Sequence, residues 1–76
     1  MELKDFVKKF AEQFDDTDVN IFKSDTNFRD IEEWSSLIAL SVIAMVDEEY
    51  EVQIKGDDIR NSKTIEDIYN IVRSKL

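Results

Sequence analysis

From Leu3 the apolar residues recur at Phe6, Val7, Phe10, Ala11 and Phe14. That i, i+3, i+4, i+7 spacing lines one face of an α-helix and predicts a first helix from about residue 2 to 14. A second helix is expected over roughly 36 to 50, and a short third turn near 57 to 61, after the single glycine, Gly56, with Asp57 or Asp58 as its cap. The last helix should open at Thr64, because Thr64 and Asp67 have capping-box spacing, and its apolar face reads Ile65, Ile68, Tyr69, Val72 and Leu76.

Between the first two helices lies a stretch from about 15 to 35, longer than loops in compact domains usually are. It carries Ile21, Phe22, Phe28, Ile31 and Trp34, more large apolar groups than a solvated loop needs, so it is expected to pack across the bundle. Only the brief Tyr50, Val52, Ile54 run alternates, and it reads as the connection from the second helix to the third turn. Proline is absent. The fold class is therefore all-α, a small four-helix bundle of three longer helices and one short one, forming a single domain over residues 1–76.

The second helix has more apolar surface than a core face requires. At about 100° per residue, Ala39, Val42, Ile43, Val46 and Tyr50 cluster on one side. Leu37, Ser41, Ala44 and Glu48 point away, flanked by Leu40, Met45 and Asp47. Leu37, Leu40 and Met45 are thus surplus to the core, and apolar groups rimmed by acids mark a partner surface. The alternative is a helix buried nearly all round, within the bundle or an oligomer. Asp47, Glu48, Glu49 and Glu51 also stand at the C-terminal end, where the helix dipole favours cations.

Charge narrows the partners. Eighteen acidic residues against ten basic ones give a net charge of −8, which repels nucleic-acid phosphates and anionic membranes and suits basic protein surfaces. The absence of His and Cys removes the usual general base, thiol chemistry and the commonest metal ligands, so neither an enzyme nor a metal centre is expected. Asp16-Thr17-Asp18-Val19-Asn20 opens like an EF-hand loop, but Ile21 stands where Gly is required and Asn27 where the closing Glu belongs. The apolar stretch Leu37 to Val46 is too short to span a bilayer, and the N-terminus does not read as a signal peptide, so a cytoplasmic monomer is expected.

Glu32-Glu33-Trp34-Ser35-Ser36-Leu37 ends the long loop and opens the second helix. A serine there is ordinarily a cap. A phosphate ester on such a hydroxyl would also sit at the positive end of the helix dipole. Over nearly its full length the chain resembles the acyl carrier protein family. That family has a helix, a long loop ending in Phe and Leu or Ile, and then Asp-Ser-Leu opening an acidic helix. A Phe or Tyr closes that helix, and after an apolar turn the final helix begins at Thr-Val or Thr-Ile. Here these features are similar to Phe28 and Ile31, Ser35-Ser36-Leu37, Asp47-Glu48-Glu49-Tyr50, Ile54 and Thr64-Ile65.

The resemblance implies that the serine before Leu, Ser36, receives 4′-phosphopantetheine from coenzyme A through a phosphopantetheinyl transferase. Ser35 replaces the family's usual Asp and leaves a second hydroxyl beside it, so the choice between the two is open at the level of sequence. The implied partners are acyl-loading, condensing or transferring enzymes with basic patches. They would dock on Leu37, Ile38, Leu40, Ser41, Ala44, Met45, Asp47 and Glu48. Cargo held as a thioester on the arm would lodge against Val46, Ile54 and Ile59, with Ser62 narrowing or polarising the cleft. Trp34, Ile38 and Ser41 depart from the fatty-acid carrier pattern and point to a dedicated partner set. The alternative function is a small acidic helical module that docks a basic partner without modification.

Overall fold

The computed structural model describes residues 1–76 throughout. It contains α1 (Leu3–Ala11), α2 (Ser36–Tyr50), α3 (Gly56–Arg60) and α4 (Ile65–Ser74), with 3-10 turns at Val19–Ile21 and Phe28–Asp30 inside the long loop. No strand forms, and the helical expectation holds. The span of α2 and the Thr64 start of α4 agree with the sequence reading. The Thr64 hydroxyl accepts from the Asp67 N–H while the Asp67 carboxylate accepts from the Thr64 and Lys63 N–H groups.

The first helix is shorter than its apolar spacing suggests. Beyond Ala11 the backbone tightens, with Gln13 N–H bonding to the Phe10 carbonyl and Phe14 N–H to the Ala11 carbonyl. These i to i−3 bonds wind the chain into a 3-10 turn. Phe14 still turns inward and is buried, so periodicity survives the change of helix type.

Seventeen buried apolar residues form one continuous core. Its centre is aromatic. Phe6 lies 6.0 Å from Tyr50 and 5.8 Å from Tyr69, while Phe10 stacks on Trp34 at 6.3 Å. Because Tyr50 ends α2 and Trp34 precedes it, α1 runs antiparallel to α2. The long loop joins this cluster as expected: Phe22, Phe28 and Ile31 are buried, and Trp34 is half-buried, its ring 4.6 Å from that of Phe28. Ile21 is the exception at 51% exposed. It ends a 3-10 turn whose three residues are all exposed, and Phe22 takes the inward position.

Two further side chains depart from the sequence reading. Leu76 lies past the end of α4 and is 65% exposed, so the inward face of that helix stops at Val72. Met45, expected on the surface, is 7% exposed and belongs to the core. The buried stripe of α2 is Val42, Met45 and Val46, rotated toward α1 relative to the expected face, and Ala39, Ile43 and Tyr50 are only half-buried. Lys9 of α1 makes an ion pair with Glu49 at 3.4 Å, which fixes the side of α2 that α1 covers.

The loop is tied to the far end of the chain by main-chain bonds. Ile65 N–H donates to the Thr26 carbonyl and Glu66 N–H to the Ser24 carbonyl. Arg29 adds a side-chain tie, its guanidinium donating to the carbonyls of Ile59, Arg60 and Ser62.

Candidate functional site

The site is built where the loop hands over to α2. Glu33 prepares the handover. Its carboxylate accepts from the backbone N–H groups of Asp15 and Asp16 at 2.8 and 3.0 Å and from the Thr17 hydroxyl at 2.6 Å. The Thr17 hydrogen bond is the largest of the effects that hold the Glu33 carboxyl below its ordinary pKa; the two backbone donors act in the same direction, against burial. One side chain thus pins both ends of the long loop together, and Trp34, next in sequence, is packed among Phe10, Phe14 and Phe28.

Ser35 and Ser36 then divide the work. Ser35 is the N-cap, in extended backbone, and its Oγ accepts from the Ile38 N–H at 3.3 Å. Ser36 is the first helical residue, exposed, and its hydroxyl makes no hydrogen bond within the protein. The first N–H groups of a helix lack intrahelical partners and the dipole there is positive, so a phosphate ester on the Ser36 oxygen would be electrostatically favoured. The chain's own residues therefore fit a phosphate-linked group at Ser36: an uncommitted hydroxyl, open to solvent, at the positive end of a fifteen-residue helix.

The residues expected to dock partners separate into three groups. Leu37 and Leu40 are 72% and 62% exposed, and Ala44, Asp47 and Glu48 are exposed with them. Ile38 and Ser41 are half-buried. Met45 is in the core and leaves this surface. Together Ser41, Ala44, Met45 and Glu48 help line a small cleft of about 280 Å³ against Lys9, Glu12 and Gln13 of α1. Leu37 and Leu40 therefore stand as the apolar part of an acid-rimmed flank that starts at Ser36. Glu51, at the end of α2, adopts the left-handed backbone region with φ 55°, and no basic residue offsets the dipole in the last turn.

The residues expected to shelter cargo are all buried. Val46, Ile54 and Ile59 belong to the continuous core, and Ser62 is buried with its hydroxyl donating to the Asp58 carbonyl. They are closely packed here, and the larger surface grooves are lined by other residues. One of about 850 Å³ runs along α1 past Leu3, Val7 and Phe14, and one of about 570 Å³ lies over the loop. The EF-hand-like segment is engaged otherwise: Asp18 Oδ1 accepts from the Asn20 N–H and caps a 3-10 turn.

Two residues important to this arrangement were not singled out from sequence. Glu33 sits in an acidic run that gives no hint of its three donors. Arg29 did leave a signal, being the only basic residue between Lys23 and Lys55.

A family model described as "phosphopantetheine attachment site" matches residues 4–72, nearly the entire chain. The chain belongs to this family of phosphopantetheine-bearing carrier domains. Its members carry 4′-phosphopantetheine covalently, and they are carriers rather than catalysts, working with phosphopantetheinyl transferases and acyl-handling enzymes. No curated protein and no solved structure matches the chain significantly. No helix is long and apolar enough to cross a membrane.

Proposed function

We propose that this chain is an acyl carrier protein, one carrier domain over residues 1–76, that holds acyl or related intermediates as thioesters on a 4′-phosphopantetheine arm joined to Ser36. The arm supplies the thiol that the chain lacks. The observation that carries the reading is the division between the two serines: Ser35 spends its hydroxyl on the Ile38 N–H, while the hydroxyl of Ser36 is exposed and free.

Docking uses the exposed flank of Leu37, Leu40, Ala44, Asp47 and Glu48, with Ile38 and Ser41 at its edge. The apolar groups give a basic partner enzyme something to bury, and the acids steer it into place. Few carboxylates stand next to Ser36 on α2, which favours a dedicated partner set over the general fatty-acid enzymes. Cargo enters between α2 and α3 by moving α3, which carries Ile59 and is followed by Ser62, away from Val46 and Ile54. The carrier works as a cytoplasmic monomer.

The test uses coenzyme A and a broad-specificity phosphopantetheinyl transferase, read by intact mass. The wild type and Ser35→Ala should gain one phosphopantetheinyl group and Ser36→Ala none. A gain that persists in Ser36→Ala but is lost in Ser35→Ala would move the attachment. No gain in any of the three would leave an unmodified docking module.

A further inference from the structure

The helix α3 has five residues, far too few to be stable on its own. Coil segments flank it on both sides, so its position depends on what it rests against. Its own Ile59 and, just past its end, Ser62 are buried, as are Val46 of α2 and Ile54 just before α3. Locally, the Asp58 carboxylate accepts from the Lys55 N–H at its start, and the Ser62 hydroxyl bonds back to the Asp58 carbonyl at its end. These bonds keep α3 helical, but they do not tie it to the rest of the molecule.

Arg29 does. It comes from a different part of the chain, 33 residues before Ser62, and its guanidinium reaches the C-terminal end of α3. Nη1 donates to the Ser62 carbonyl, while Nη2 donates to those of Ile59 at 2.8 Å and Arg60 at 3.1 Å. The carbonyls at the C-terminal end of a helix form the negative end of its dipole, so a planar, permanently charged fork suits them; the Ile59 carbonyl also accepts from the Ser62 N–H. The anchor side is firm as well. The guanidinium lies 4.9 Å from the ring centre of buried Phe28, and the adjoining Ser24–Thr26 carbonyls are bonded to the start of α4.

We propose that Arg29 is the latch of the carrier: it holds α3 closed over the apolar layer beneath α2, and its release lets a carried chain pass from solvent into the protein. Arg29 is thus a positioning residue that sets how much cargo is sheltered. The latch itself stands on the geometry just given. Its effect on cargo rests on the acyl-carrier reading above. Ala removes the fork, and Lys, with a single ammonium on a flexible stem, cannot span three carbonyls as the fork does.

Amide hydrogen exchange on the unmodified protein tests the latch without any loading. In Arg29→Ala the amides of Ile59, Asn61 and Ser62 should exchange about tenfold faster or more, with Ile68 and Val72 of α4 unchanged and Arg29→Lys intermediate. Unchanged rates in α3, or equal acceleration in α3 and α4, would overturn the proposal. Acetyl- and octanoyl-loaded forms, prepared from the acyl-coenzyme A and a transferase, then test the gate. The chain-length-dependent shifts at Ile54 and Ile59 should be larger in Arg29→Ala than in the wild type, and identical shifts would refute gating. Failure of every form to load would count against the carrier reading alone, because the exchange data still decide the latch.

Discussion

The Oγ of Ser35 lies 3.3 Å from the backbone nitrogen of Ile38 and accepts its hydrogen bond. That bond makes neighbouring serines unequal in stability as well as in chemistry. Ser35→Ala should cost about 0.5–2 kcal/mol, the usual penalty for losing an N-cap. Ser36→Ala removes a solvent-exposed hydroxyl that bonds to nothing in the protein and should stay within about 0.5 kcal/mol of the wild type. Denaturant midpoints of the two variants check this, and a larger loss at Ser36 would mean its hydroxyl supports the fold.

Tyr50 offers a test of the opposite sign. Its ring packs against Phe6, yet its hydroxyl is buried without a hydrogen-bond partner, and burial raises its pKa above the ordinary tyrosine value. An unsatisfied buried hydroxyl carries a desolvation penalty with no compensating bond. Tyr50→Phe should therefore stabilise the protein by about 1 kcal/mol, or about 4–8 °C in Tm for a domain of this size. A fall in Tm would show that the hydroxyl has a partner in solution.

Glu33 should make the loop acid-sensitive. Its folded pKa lies below the reference value of 4.5, chiefly through the Thr17 hydroxyl. A carboxyl depressed by folding contributes stability above its unfolded pKa, and that contribution fades as pH falls through the folded value. The stability margin of the wild type over Glu33→Gln should thus be full near neutral pH and shrink below about 4.5. Melting curves of both proteins across that range give the comparison, and a margin independent of pH would remove the role assigned to the charge.

The exposed and buried apolar residues of α2 should respond differently. Leu37→Ala and Leu40→Ala ought to leave stability within about 0.5 kcal/mol while slowing transfer to and from partner enzymes. Met45→Ala should cost about 2–5 kcal/mol through the cavity it leaves. Equal destabilisation by all three would mean that the outer flank of α2 is covered in solution.

That contrast also marks what the sequence could convey. The limits of α2, the capping box of α4 and the inward packing of Phe22 and Phe28 follow from local spacing and apolar content, and all were legible. Met45 was not. A helical wheel gives relative angles around one helix but not where its neighbours lie, and here α1 covers the Met45 side. The same limit hid Glu33 and Arg29, whose partners are distant in the chain. From sequence, Leu37 favoured Ser36 but left Ser35 open; the backbone gives the two different settings, with Ser35 extended as the cap and Ser36 already helical.

The ties from Thr26 and Ser24 to Ile65 and Glu66 have a consequence for the order of events during synthesis. The segment leading to Ser36 is braced by Ile65 and Glu66, which leave the ribosome well after it. Such distant contacts form late because chain closure must precede them. A nascent chain lacking α4 has no brace for that segment, so on the reading proposed above a chain truncated before Thr64 should be a poorer transferase substrate than the whole domain.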